Sequence, residues 1–362
     1  MTDNKAICFS CLTPYHVFVS YILSKTVYKD NYKIILISDH HLKKVYINSK
    51  KLAVWDELIL IEEKNKPFHL IQQQFDKIDF TSIHVLHYFS WGSIFNSILM
   101  NAIPNHTKII LTDEGYMTYR PKEASEFFKN KNNLQRNPLD FNTISEIWLF
   151  DKRLYISTLN KPLKNIELKK YLDSKLKYEL CNELNILFDY QYEKKDYDIV
   201  FFDQCFTLTH KTSYIEEKYL LMNIIKVLKD FKILIKKHPS DSKYKYTGLG
   251  VDILEHEGIP WEVIYLNEYI NNPSNLQNKI YMTYSSSAMI NARTVFKDLN
   301  IHNHFFSLIK LLHNFLDITT PTILLEKYYN QFKKSYNENI YEIESFIDLQ
   351  NILNKNLLSI KK

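Results

Sequence analysis

The chain has 362 residues, more than one core of about 150 residues needs, so two domains are expected. Hydrophobic residues at 45% and charged residues at 24% exclude a disordered, a collagen-like and a disulfide-framed chain. The net charge of +5 suits an anionic substrate or an anionic membrane surface; with no nucleic-acid motif in the sequence, no nucleic-acid partner is expected.

In chain order, Ala6–Cys11 is a short apolar run that predicts a buried strand. Leu12-Thr13-Pro14 breaks it, and helical spacing follows from Tyr15 to Thr26. Further strands are predicted at Tyr32–Ser38, Leu58–Ile61, Ser82–Phe89, Lys108–Thr112 and Ile147–Phe150. Continuous β-branched runs separated by helical stretches imply a parallel sheet covered on both faces. Residues 156–196 are Lys-rich and read as a helical connector between an N-terminal α/β domain, 1–155, and a C-terminal one, 197–362. The alternation restarts with a strand at Asp198–Phe202 and a helix at Glu216–Lys229. Strands at Phe231–Ile235, Val263–Leu266 and Lys279–Thr283 follow, then a helix through Arg293 and a helical tail over Leu324–Leu358. The fold class is α/β, with two facing doubly wound parallel-sheet domains.

Cys8 and Cys11 form a CxxC inside the first strand run. Without a second CxxC or a His pair at zinc spacing, they read as small buried residues, and no metal or cofactor is expected. No apolar run approaches the ~18 residues of a membrane span. The N-terminus does not read as a signal peptide, so a cytoplasmic location is expected, with the basic charge allowing peripheral contact with the inner membrane face.

In doubly wound sheets ligands bind beyond the carboxyl ends of the strands, and four unusual clusters fall there. The first is Cys11-Leu12-Thr13-Pro14-Tyr15-His16. Thr13 can cap the following helix and Pro14 suits its first turn; the helix N-terminus can also hold an anionic group. The second is Asp113-Glu114-Gly115 after the fifth strand. Alternation turns the two carboxylates to opposite sides, so one can serve as general base while the other anchors the loop. Asp113, shorter and more rigidly held, is the expected base; Glu114 would then fix the loop beside Gly115. The third is His238-Pro239, preceded by Lys236 and Lys237, a cation-rich place for a phosphate. The fourth is Tyr284-Ser285-Ser286-Ser287, where hydroxyls and helix N-terminal amides form an anion site. Neither GxGxxG nor GxxxxGK[ST] is present, which disfavours dinucleotide and P-loop sites.

The order TPYH, DEG, HP, SSS, each at a strand end, resembles that of bacterial sialyltransferases of the two-domain GT-B type. The CLTPYH stretch and the chain length look most like the lipooligosaccharide sialyltransferases, glycosyltransferase family 52, over roughly residues 5 to 295. The resemblance implies a GT-B-like fold and an inverting, metal-independent transfer of sialic acid from CMP-sialic acid to a terminal galactose of a cell-surface glycan or glycolipid. It implies that Asp113 or Glu114 carries the base. His238 would contact or protonate the CMP phosphate, with Pro239 beside it. The phosphate would be held by Ser285 and Ser286, or by Ser286 and Ser287. In the lipooligosaccharide branch a second-domain acid can serve as base, and Asp203, Glu216 and Glu217 stand as reserves. Two other readings use some of the same motifs: a CDP-glycerol-type polymer glycerophosphotransferase, and a transferase of another nucleotide sugar. A non-catalytic partner in cell-surface biosynthesis is a third.

Overall fold

The computed structural model describes residues 5–90, 93–124, 140–207, 212–238, 241, 243–254, 258–316 and 323–356. Contacts divide the chain into two units. The first is Met1–Gln191 with Gly258–Leu266 and Thr294–Asp298; the second is Tyr192–Glu257, Asn267–Arg293 and Leu299–Lys362.

In the first unit, β1 (Ala6–Cys11) leads into α1 (Pro14–Thr26), and β2 (Lys33–Ser38), α2 (Lys43–Ser49), β3 (Glu57–Ile61) and α3 (Phe68–Phe75) follow. Next come β4 (Ile83–Tyr88), α4 (Ile94–Ala102), β5 (Lys108–Thr112), β6 (Ile144–Leu149) and β7 (Leu163–Asn165). Helices α5 (Lys169–Leu172) and α6 (Leu176–Phe188) close the series. The seven strands run in the order β3-β2-β1-β4-β5-β6-β7, all parallel. Every residue of β1 and β2 is buried, which is why both read as unbroken apolar runs and not as alternation.

The chain winds outward from β1 twice, first to β2 and β3, then to β4 through β7. The gap between β1 and β4 is therefore the topological switch point. The stretch 156–196, expected as a connector, contributes β7 to this sheet and clusters with the first unit as far as Gln191. Leu180, Leu184, Leu187 and Phe188 form the buried stripe of α6, and Asn48 at the end of α2 donates to Leu187 O at 3.4 Å.

The second unit's sheet is built from β8 (Ile199–Phe202), β9 (Ile233–Lys236), β10 (Asp252–Leu254), β11 (Ile280–Thr283), β12 (His304–Ser307) and β13 (Ile340–Glu342). Its order is β10-β9-β8-β11-β12-β13, again all parallel. Here the switch point lies between β8 and β11. The helices along this part of the chain are α7 (Tyr214–Val227), α8 (Trp261–Asn271), α9 (Ala288–Val295), α10 (Ile309–Leu316), α11 (Ile323–Tyr336) and α12 (Phe346–Asn356); Trp261–Leu266 of α8 and the last two residues of α9 cluster with the first unit.

Residues Val263–Leu266, expected as a strand, lie inside α8. Trp261, Val263, Ile264, Tyr265 and Leu266 are all buried. A helix buried all round shows no polar face, so its sequence cannot be told from a strand by periodicity. Among the described residues, no helix is long and apolar enough to cross a membrane.

Candidate functional site

In the first unit the residues that follow β1, β4 and β5 come together. Thr13 is the N-cap of α1; its Oγ1 accepts from His16 N at 3.3 Å, and Pro14 occupies the first turn. The helix thus starts immediately after the strand and carries the His16 ring back over the strand ends. His16 is buried and stacks on Phe89, the residue after β4, at 4.7 Å between ring centres and 11° between planes. Its Nδ1 accepts from Leu12 N at 3.2 Å. Its Nε2 stands 3.5 Å from Glu114 Oε2.

Asp113, the expected base, and Glu114, the expected loop anchor, sit in different surroundings. Asp113 is 1% exposed. Its Oδ1 accepts from Gly115 N at 2.8 Å, and its Oδ2 accepts from Tyr119 Oη at 2.6 Å and Phe150 N at 3.0 Å. Both oxygens are committed to holding the loop, and Gly115, at φ 107°, makes the turn that brings its N–H to that carboxylate. Burial pushes the Asp113 carboxyl up to about 6 against the pull of those donors. Glu114 keeps 14% of its side chain exposed, beside His16. It is anchored through its own backbone, Glu114 N donating to Thr118 Oγ1 at 3.0 Å. Of the two acids, Glu114 is the one with a partly exposed side chain.

In the second unit Phe202 of β8 pairs with Lys236 of β9 on one side and Thr283 of β11 on the other. The residues that follow emerge from neighbouring strands about 4.8 Å apart: Asp203, then Lys237 and His238, then Tyr284 to Ser287. Thr283 fixes the last of these loops. Its Oγ1 donates to Phe202 O at 2.7 Å and accepts from Ser286 N at 3.0 Å. Ser286 Oγ accepts from Ala288 N at 3.3 Å, capping α9. The hydroxyls of Ser285 and Ser287 make no hydrogen bond among the described residues. His238 is half-buried and its carbonyl accepts from Asp241 N at 3.0 Å. Pro239 lies outside the described residues.

The reserve acids have structural partners. Glu216 completes a capping box with Ser213 at the start of α7. Asp203 and Glu217 belong to a buried cluster that sequence reasoning missed. Lys245 Nζ lies 2.9 Å from Asp203, 3.0 Å from Asp241 and 2.8 Å from Glu217, and donates to Gln204 O at 2.8 Å. Tyr246 Oη bonds both Asp203 and Asp241 at 2.9 Å. The i,i+4 spacing of Asp241 and Lys245 was the available signal. His16 stood inside the TPYH motif without an assigned role.

The four cysteines are buried and unpaired with one another, and burial pushes the Cys11 thiol up to about 12. Among the described residues, no group of three His, Cys, Asp or Glu is placed to hold a metal ion.

Neither the protein-family models nor the curated proteins compared with the chain give a match. Among solved structures, the chain is similar to an α/β-galactoside α-2,3-sialyltransferase from the luminous marine bacterium Photobacterium phosphoreum. The two are 12% identical with a TM-score of 0.52, over 96% of this chain and 100% of that one. It is similar as well to the UDP-GlcNAc 2-epimerase of Neisseria meningitidis, at 8% identity and a TM-score of 0.53, over 98% of this chain and 92% of that one. The chain has the GT-B fold. In this fold the ends of β1, β4 and β5 in one unit, and of β8, β9 and β11 in the other, are the ligand-side ends.

Proposed function

We propose that the chain is an inverting glycosyltransferase that moves sialic acid from CMP-sialic acid to a terminal galactose of a cell-surface glycan. The observation that carries this reading is the placement of the DEG, HP and Ser-rich motifs at the carboxyl ends of inner strands, with Glu114 the acid left open. The whole-length likeness in fold to a sialyltransferase supports it.

The chemistry divides between the units. Donor phosphate is assigned to the second, where His238 follows β9 and Ser285 to Ser287 lie between β11 and α9, at the same end of one parallel sheet. These groups would offset the charge that develops on the leaving phosphate. The acceptor hydroxyl is assigned to the first unit. Glu114 removes its proton as the acceptor oxygen bonds to the anomeric carbon; the bond from that carbon to the phosphate oxygen breaks, and CMP leaves with a proton from His238. The CMP leaving group carries one phosphate, so a protonated histidine and hydroxyl donors can stand where a pyrophosphate would call for a metal.

The test is a donor screen with CMP-sialic acid, CDP-glycerol and UDP-sugars, a lactose-type acceptor, and nucleotide release as readout, with and without EDTA. CMP release from CMP-sialic acid is expected, and Glu114→Gln should lower turnover about a hundredfold or more with the fold intact. Release from CDP-glycerol or a UDP-sugar alone would overturn the donor, and a fully active Glu114→Gln would overturn the base.

A further inference from the structure

We infer that His16 is a positioning residue that holds the Glu114 carboxylate in one orientation through its Nε2–H. The inference rests on the reading of Glu114 as the base, but its geometry stands apart from the identity of the donor.

The argument begins with the backbone of Leu12. An amide N–H can only donate, so the Nδ1 that receives it at 3.2 Å must act as an acceptor. In the neutral ring the hydrogen is then on Nε2, the atom that stands 3.5 Å from Glu114 Oε2. The ring has little freedom to turn away. Thr13 Oγ1 accepts from its own backbone N–H, and Phe89 lies flat against one face. A single backbone bond at the end of β1 thereby selects the tautomer, and a single stacking partner at the end of β4 selects the ring plane. Both converge on a carboxylate at the end of β5.

The other groups around that carboxylate do not duplicate the role. Tyr88 is buried, and its hydroxyl is pushed up by burial with the Glu114 charge adding to the shift. Asp113, next in sequence, has both oxygens bonded elsewhere. Thr118 meets only the backbone of Glu114. Among the described residues, His16 Nε2 is the side-chain nitrogen that stands within 3.5 Å of the carboxylate. A glutamate has three rotatable side-chain bonds, and misplacing a reacting group by about 1 Å can lower a rate roughly a hundredfold. An orienting donor therefore acts on turnover and leaves donor binding alone.

Two substitutions separate this from a purely structural role. His16→Asn retains an oxygen near the Nδ1 position for Leu12 N but has no donor at the ε position. His16→Gln retains a donor at the ε position. With CMP-sialic acid as probe, His16→Asn should lower kcat roughly tenfold to a hundredfold with the donor KM unchanged within about twofold. His16→Gln should recover most of the loss. Full activity in folded His16→Asn, or equal failure of both variants, would overturn the inference. Nitrogen-15 NMR of the imidazole, which needs no substrate, provides the second readout. The Nε2–H tautomer is expected, with ring shifts that move in Glu114→Gln; an Nδ1–H tautomer, or shifts indifferent to that change, would also overturn it. If the wild-type chain releases no CMP, the donor assignment fails while the tautomer still decides the question for His16.

Discussion

Asp113 and Asp203 occupy matching places in the two units. Each is the first residue after an inner strand, each is buried, and each accepts a hydrogen bond from a tyrosine hydroxyl three residues or more further on: Tyr119 in one case, Tyr246 in the other. They differ in what else satisfies them. Around Asp113 the remaining donors are the neutral backbone N–H groups of Gly115 and Phe150. Asp203 has one such bond, from Gln204 N at 2.7 Å, and a buried cation, Lys245. That cation is shared with Asp241 and Glu217. Burial pushes both carboxyls up; at Asp203 the nearby lysine opposes the shift.

The neutral arrangement relies on backbone and hydroxyl donors: it shapes the DEG turn and sutures it to the end of β6. The charged one is long-range: it ties the end of β8, the first turn of α7 and the loop that begins at His238. Buried charges are tolerated when paired and costly when a partner is removed. The two loops should therefore respond to mutation on different scales.

The largest effect is expected at Lys245. Lys245→Met removes a cation that faces three buried carboxylates, and loss of a partner from a buried pair costs about 3–5 kcal/mol. Chemical denaturation should show a loss of that size. Adding Asp203→Asn and Glu217→Gln to Lys245→Met should restore part of it. A Lys245→Met protein as stable as wild type would remove the distinction between the two loops.

A smaller loss is expected at Asp113. In Asp113→Asn the amide nitrogen must confront either the Gly115 N–H or the Tyr119 and Phe150 donors, leaving a buried donor unmet at about 1–3 kcal/mol. Turnover should fall together with stability, because the DEG loop that carries Glu114 loosens. Glu114→Gln should lower turnover at unchanged stability. An Asp113→Asn protein that keeps its melting temperature but loses all turnover would return the base to Asp113.

These contrasts mark where sequence reasoning stops. The inner strands β1, β2, β4, β5, β8, β9 and β11 were legible because burial on both faces leaves continuous apolar runs; the inner strand β12, four residues long, was not read from the sequence. The edge strands β7, β10 and β13 have three residues each, too few to establish a period. Thr13, Asp113, His238 and Tyr284 do follow strands, and the candidate motifs were visible in the sequence as odd polar residues after apolar runs. Their division of labour was not. Part of what holds the Asp113 carboxylate in the loop comes from Phe150, 37 positions away. The expectation that Asp113 is the base followed side-chain length, a local property; the distant N–H that binds its carboxylate cannot be read along β5. The Lys245 cluster was hidden for a similar reason. Nothing in the run KYKY marks Lys245 as buried; three acids from three separate segments make it a buried cation.

The smallest effect concerns acid, and it sharpens the comparison because its source lies beside the first loop. His87 in β4 is 0% exposed. Its Nδ1 meets Thr112 Oγ1 at 2.8 Å, its Nε2 meets Tyr28 Oη at 2.9 Å, and it stacks on Phe9 at 5.0 Å. Both polar partners are neutral hydroxyls, so burial prevails and holds the imidazole down to about 3. The sign follows. Above pH 6.5 the ring is neutral in both folded and unfolded chains. Below 6.5 the unfolded chain takes up a proton that the native one refuses until about pH 3, so stability falls as pH falls through that window. Between pH 6.5 and 5 the loss is roughly 1.5 kcal/mol. Asp113 acts in the opposite direction over part of the range, because its carboxyl, raised to about 6, takes up its proton in the native state first. The readout is therefore a difference between two proteins. His87→Gln can bond the same two hydroxyls and cannot be protonated. Denaturation midpoints measured at pH 7 and pH 5 should separate more in wild type than in His87→Gln. Parallel pH profiles would mean that the acid sensitivity of the first unit arises elsewhere, with Glu146, held down to about 2 against its burial by Lys108, Trp148 and Lys164, the next group to change.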